Sequence, residues 1–183
     1  MRKASKPTGK TRSKPSGTKD RKPIRLDETD LLILSMLQQD ARVPNVDIAR
    51  RARMVPSGML MRLRKLEENK VILSYETRLN SRALGLGLTA FVFVKAKEVT
   101  ARNDTAERLA RIPEVQEVHN ITGEDCYLVK IRVADPQDLG RVLREHVGRI
   151  PSVVSTKTTI VLDTFKETTA LPIDKQRVAL GLA

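Results

Sequence analysis

Six cations and no carboxylate stand between residues 50 and 65: Arg50, Arg51, Arg53, Arg62, Arg64 and Lys65. Guanidinium and ammonium groups packed this closely neutralise phosphates, and on a helix they can also reach base edges. Residue types that carry covalent or metal chemistry are sparse by comparison. The chain has one cysteine, Cys126, and two histidines, His119 and His146. His119 lies in a β-rich run and His146 in a helical pattern, and neither has a neighbouring nucleophile or a partner at ligand spacing. No metal site, no cofactor and no enzymatic activity are therefore expected. Cys126 reads as a small buried hydrophobe in preference to a redox thiol.

The elements that must position the cations are short helices. Asp27 can cap a helix whose third residue, Asp30, is acidic, and Ile33, Leu34 and Leu37 recur at helical spacing up to about Asp40. A second apolar-periodic segment covers Val46 to Ala52. A third, Pro56 to Asn69, places Met59, Leu60, Leu63 and Leu66 on one face. Three short helices with tight connections form a helix-turn-helix candidate. Ser57, Met61, Arg62 and Lys65 then become groove-facing candidates, with Arg62 foremost for base contact, and Arg50, Arg51, Arg53 and Arg64 complete the DNA-binding set. Val71, Ile72, Tyr75 and Leu79 read as a strand that can form a wing.

The period then changes to two. Leu88–Lys97, Val115–Thr122, Cys126–Val133 and Val153–Leu162 are β-rich runs, with helical patterns over Thr100–Ile112 and Pro136–Arg149 between them. The order βαββαβ is the ferredoxin-like arrangement, an antiparallel four-stranded sheet carrying both helices on one face. The other face needs cover, which favours a dimer through packed sheets. The fold class expected is α+β: a winged helix-turn-helix over 26–76, a linker over 77–87, a ferredoxin-like domain over 88–173, and a tail over 174–183.

Charge is unevenly spread along the 183 residues. The net +12 arises mainly in residues 1–25, where ten Lys and Arg face one acid, whereas 26–76 hold eight of each sign. With almost nothing apolar, that first segment reads as a disordered basic arm that clamps phosphates. No stretch reaches the roughly 18 apolar residues of a membrane span, and no secretory signal is apparent, so a cytoplasmic, nucleoid-associated protein is expected.

Together these pieces resemble the leucine-responsive and asparagine regulator (Lrp/AsnC) family over about residues 26–173. They are Leu26-Asp27 with Asp30, Ile33, Leu34 and Leu37; Asp40-Ala41-Arg42; Asp47-Ile48-Ala49; Arg62 to Glu68; Val71-Ile72; Thr122-Gly123; and Ile150-Pro151 with Val153. The resemblance implies a transcriptional regulator of double-stranded DNA that dimerises, assembles further into a tetramer or octamer, and binds an amino acid or related metabolite between subunits. Three residues depart from the family pattern. Arg53 stands at the usual turn glycine, Val55 at the usual hydroxyl cap, and Lys70 at the glycine that ends the third helix. Arg53 must then adopt a strained conformation or the turn must differ.

The effector loop implied by the resemblance is Gly123-Glu124-Asp125-Cys126-Tyr127. Gly123 and Tyr127 match the family's Gly-x-x-Asp-aromatic pattern, but Cys126 occupies the aspartate position and Asp125 falls one residue early. Thr156 and Thr158, on one face of the last strand, can offer hydroxyls to an amino acid's charged groups. Two other functions fit the same fold: an architectural nucleoid protein binding through the arm and several heads, and a siroheme-decarboxylase-like enzyme enlisting His119.

Overall fold

The computed structural model describes residues 25–97 and 104–173, which form two compact units: 25–76 with 170–173, and 77–169. The basic arm, the first residues of the helix expected from Thr100, and the tail over 174–183 lie outside the described residues.

The first unit is three helices: α1 (Glu28–Gln39), α2 (Asn45–Arg51) and α3 (Pro56–Glu68). Asp27 caps α1 reciprocally, its side chain accepting from the Asp30 amide at 2.8 Å while Asp30 accepts from the Asp27 amide at 3.1 Å. Periodic apolar residues close the core, with Ile33, Ile48, Ala49, Met59, Leu63 and Leu66 all buried. Leu60, expected on that stripe, lies one residue outside it and is exposed.

Among the described residues the expected wing strand does not form. Residues 71–80 belong to no ladder among the described residues; Val71 and Ile72 pack against the helical core, while Leu73, Tyr75 and Leu79 are exposed. Alternating apolar residues make a strand only where a partner supplies hydrogen bonds. The segment 170–173, assigned from sequence to the sheet domain, instead belongs to this helical unit. There Leu171 exchanges two 2.8 Å hydrogen bonds with the Gln38 side chain.

The second unit is the expected sheet. Its elements are β1 (Leu88–Ala96), α4 (Asp104–Ala110), β2 (Val115–Asn120), β3 (Tyr127–Val133), α5 (Pro136–Val142) and β4 (Val153–Ile160). The strands lie in the order β2-β3-β1-β4 with every pair antiparallel. A π-helical turn, Leu143–Val147, prolongs α5, and the Gly148 amide closes it on the Leu143 carbonyl at 2.8 Å. Alternation along β3 divides the two faces. Tyr127, Val129, Ile131 and Val133 enter a core with Leu109, Ile112, Leu139 and Val142, whereas Leu128, Lys130 and Arg132 face the other way. No helix among the described residues is long and apolar enough to cross a membrane.

Candidate nucleic-acid interface and effector site

Helix α3 turns one face into the core and one out. Residues 57, 61, 64, 65 recur four and three apart, so Ser57, Met61, Arg64 and Lys65 share the exposed face opposite Met59, Leu63 and Leu66. Arg50 and Arg51 end α2 and Arg53 occupies the turn before α3; all three are exposed. Arg50 is held loosely by Asp47 at 3.2 Å. These seven residues are exposed on α2, on α3 and in the turn between them.

Arg62 does not join them as expected. Its Nη1 donates to Asp27 at 2.6 Å and to Asp30 at 2.8 Å, and its side chain is only 33% exposed. The capping box of α1 thus doubles as an anion pair for a cation on another helix, and Arg62 fastens α3 to α1. Burial acts against the Asp27 charge, but the Asp30 amide and the Arg62 guanidinium outweigh it and hold that carboxyl below its ordinary range. The same carboxylates, Asp27 first, raise the Arg62 pKa further. Sequence reading missed this because helical periodicity ranks a residue's side, not the reach of a long guanidinium to a cap 35 positions away.

All three departures from the family pattern have structural counterparts. Arg53 sits at φ 52° and Lys70 at φ 59°, both in the left-handed region where glycine is usual. Val55 makes no side-chain cap, and Pro56 takes the first helical position, where its missing N–H costs nothing.

In the sheet unit, Gly123 takes φ 128° at the β2–β3 loop, Glu124 is exposed, and Asp125 is half-buried. Cys126 is engaged in joining strands: its Sγ donates to the Ala96 carbonyl at 3.3 Å and accepts from the Ala96 amide at 3.4 Å, while its amide donates to the Val94 carbonyl. Tyr127 is 1% exposed within the core. One cross-strand row runs Asn120, Tyr127, Val94, Thr156, and the next holds Val118, Val129, Val92, Thr158. Thr156 therefore lies two strands, about 10 Å, from Tyr127. Both threonines share the helix-bearing face yet are exposed, because the helices pack over β2 and β3 and leave edge strand β4 open. Of the residues grouped from sequence, Tyr127 and Thr156 share a row, Thr158 lies in the next one, and Gly123 to Cys126 precede β3. A hollow of about 400 Å³ lies elsewhere, bordered by Arg108 and Glu145 on the helical segments and by Arg111 and Arg149 in the turns that follow them.

The opposite face carries a charge network that sequence reading did not anticipate. Lys130 donates to Glu117 at 3.1 Å and to Glu167 at 2.5 Å, while Arg132 donates to Glu167 at 3.1 Å and to the Ser81 hydroxyl at 2.5 Å. Glu167 is held below the carboxylate range by Lys130 foremost, and Glu117 by His119 and then Lys130. Burial pulls the Lys130 pKa down, but the two glutamates outweigh it and leave it raised. The legible signal was Lys130 and Arg132 alternating with the apolar face of β3; their partner Glu167 is unreadable from local pattern. His119, which the tetrapyrrole alternative enlists, bonds Glu117 at 3.2 Å, and His146 approaches Arg141 at 3.5 Å. Among the described residues no three ligand-type side chains cluster as a metal site.

A three-helix reader and a βαββαβ sheet define the class: a DNA-binding regulator with a ligand-binding domain. Residues 26–72 match the winged helix-turn-helix DNA-binding family and residues 89–171 the Lrp/AsnC ligand binding domain. The HTH-type transcriptional regulator FL11 of Pyrococcus horikoshii is 39% identical over 150 residues, covering 82% of this chain and 98% of that protein. The leucine-responsive regulatory protein of Escherichia coli K12 is 34% identical over 152 residues, covering 81% and 92%. A transcriptional regulator of Neisseria meningitidis, solved as an L-Met complex, superposes with a TM-score of 0.77 at 31% identity, covering 83% of this chain and 99% of that one. The chain belongs to the Lrp/AsnC family of transcriptional regulators. These relatives are regulators, and the matched families give this chain a DNA-binding helical unit and a ligand-binding sheet unit.

Proposed function

We propose that the DNA-reading surface comprises Arg50, Arg51, Arg53, Ser57, Met61, Arg64 and Lys65, with the lysine and arginines on phosphates and the front of α3 in the major groove. The observation that carries this reading is the exposure of those five cations around α3 while Arg62 is spent on Asp27 and Asp30. Arg62 accordingly acts as a positioning residue for the reader.

The amino-acid site is proposed at the loop Gly123–Tyr127 with Thr156 and Thr158, completed by a second copy of the chain. Support comes from exposed Thr156 in one row with buried Tyr127, from exposed Thr158 in the next row, and from L-Met in the Neisseria relative. An edge strand with open hydroxyls is half a site, and a neighbouring subunit supplies the other wall. Homodimers, assembling further into tetramers or octamers, follow from this reading, as does residence on the chromosomal DNA.

The test is fluorescence anisotropy of the full-length protein with its own upstream DNA and with a scrambled duplex, across a salt series, with and without L-methionine. A preference for the upstream DNA that persists at physiological salt, and shifts with methionine, is expected. Equal binding to both duplexes with steep salt dependence points instead to architectural binding through the arm. Absence of binding to both overturns the DNA reading.

A further inference from the structure

The front of α3 is apolar where a base-reading helix usually carries amides or guanidinium groups. From 55 to 61 the sequence is Val-Pro-Ser-Gly-Met-Leu-Met, with no Arg, Lys, Asn or Gln. Val55 is 68% exposed, Met61 67%, and Leu60 38%. Single exposed hydrophobics are ordinary on protein surfaces. Here, however, Met61 stands on the same face as Ser57, Arg64 and Lys65, and Val55 sits at the helix tip, so cations flank Met61 on that face. Val55 and Met54 also converge: Val55 Cγ2 and Met54 Cε each come within 3.5 Å of the place a Cβ on Gly58 would occupy. Ser57 apart, the exposed side chains at the front of the helix are therefore apolar.

Bases offer few features to such a surface. Guanine, adenine and cytosine present hydrogen-bonding groups in the major groove, and the 5-methyl group of thymine is the apolar feature among them. Bidentate readout of guanine or adenine needs Arg, Lys, Asn or Gln, none of which is present over 55–61. The nearest candidate, Arg62, is committed to Asp27 and Asp30. Arg64 and Lys65 lie further along α3, on the part that passes the backbone in a helix-turn-helix complex.

We propose that this protein selects DNA through thymine methyl groups, contacted by Met61 and Val55 at the front of α3, instead of by hydrogen bonds to base edges. The occupant of the apolar front of α3 is a thymine-bearing major groove, and the flanking cations provide the charge complementarity that brings it there. The inference rests on the assignment of α3 as the reading helix.

The experiment begins with duplexes enriched from random sequence by the full-length protein. One bound duplex is resynthesised with deoxyuridine replacing thymidine at single positions, and again with 5-bromodeoxyuridine, whose bromine has about the size of a methyl group. Binding is followed by anisotropy at fixed salt. At one or two positions, loss of the methyl is expected to weaken binding about fourfold each, from the transfer value of one methyl, and bromine is expected to restore it. Met61→Ala is expected to bind the thymidine duplex more weakly and to lose sensitivity to deoxyuridine at one of those positions, with Met61→Leu retaining it. Met61 is exposed, so these variants keep their melting temperature, which is measured alongside. Sequence-selective binding that ignores deoxyuridine at every position overturns the inference and leaves the reader intact. Failure to enrich any duplex overturns the reader assignment, and the inference with it.

Discussion

The two units use half-buried cations in opposite ways. In the helical unit Arg62 reaches across to the start of another helix and ties Asp27 and Asp30, so one ion triad sets where α3 stands against α1. In the sheet unit Lys130 and Arg132 stay on one strand and gather Glu117, Glu167 and Ser81 over the face away from the helices. The first arrangement orients a surface; the second covers one. Both show that a cation's role is decided by how much of it leaves water, since the exposed Arg50, Arg51, Arg53, Arg64 and Lys65 keep their charge open to a polyanion.

Core truncation breaks the comparison most strongly. Ile48→Ala in the helical unit and Ile131→Ala in the sheet unit remove fully buried side chains, and each is expected to cost about 2–5 kcal/mol by thermal melting. Backbone amide exchange is expected to rise chiefly in the unit that carries the change. Next comes Arg62→Met, which leaves two carboxylates without their cation. Because the triad is partly exposed, a loss of about 1–2 kcal/mol is expected, well short of a fully buried pair. Arg64→Ala, by contrast, is expected to leave the melting temperature unchanged and to weaken DNA binding.

Relief of backbone strain has a smaller and opposite effect. Arg53→Gly and Lys70→Gly place glycine at φ 52° and φ 59°, and each is expected to stabilise the helical unit by up to about 1 kcal/mol in a denaturant midpoint. Arg53→Gly also removes a proposed phosphate partner, so stability and DNA affinity move apart.

The pH responses are the mildest, and the helical unit carries its own reporter. Tyr75 is pushed up to about 12, by burial first and then by its 2.8 Å hydrogen bond to Glu67. A raised phenol pKa contributes stability that is present below its ordinary value near 10 and lost as pH rises toward 12. Ultraviolet titration should show the Tyr75 phenolate appearing late, and earlier in Glu67→Gln. On the acid side, Asp27 in one unit and Glu117 and Glu167 in the other all have lowered pKa values. Their stability is present above the ordinary carboxylate range and lost as pH falls through it, so both units are expected to weaken together in acid.

Periodicity carried most of the fold. The spacing of Ile33, Leu63 and Leu66 marked the helical core, and the alternation of Tyr127, Val129 and Ile131 marked the sheet and its buried face. Local signals also carried the capping pair Asp27 and Asp30 and the unusual turn at Arg53. What pattern did not carry was long-range partnership. Arg62 finds Asp27, Arg132 finds Glu167, and Gln38 finds Leu171 across many residues, and nothing in a local window records those meetings. The wing strand is a related case: Leu73, Tyr75 and Leu79 alternate, but alternation does not specify a partner, and none is found among the described residues. In the candidate effector row the residue types were legible, while the helix coverage that buries Tyr127 and leaves Thr156 open was not.

The most direct test separates the cation that holds α3 from the cations proposed to meet DNA. Anisotropy of wild type, Arg62→Met and Arg64→Ala on the upstream duplex, from low to physiological salt, gives the slope of log affinity against log salt. Removing one cation from a phosphate lowers the magnitude of that slope by about 0.9. A decrease of that size is predicted for Arg64→Ala and an unchanged slope for Arg62→Met, whose affinity falls only through a less stable reader. A reduced slope for Arg62→Met, with Arg64→Ala indistinguishable from wild type, would contradict the division of roles between them.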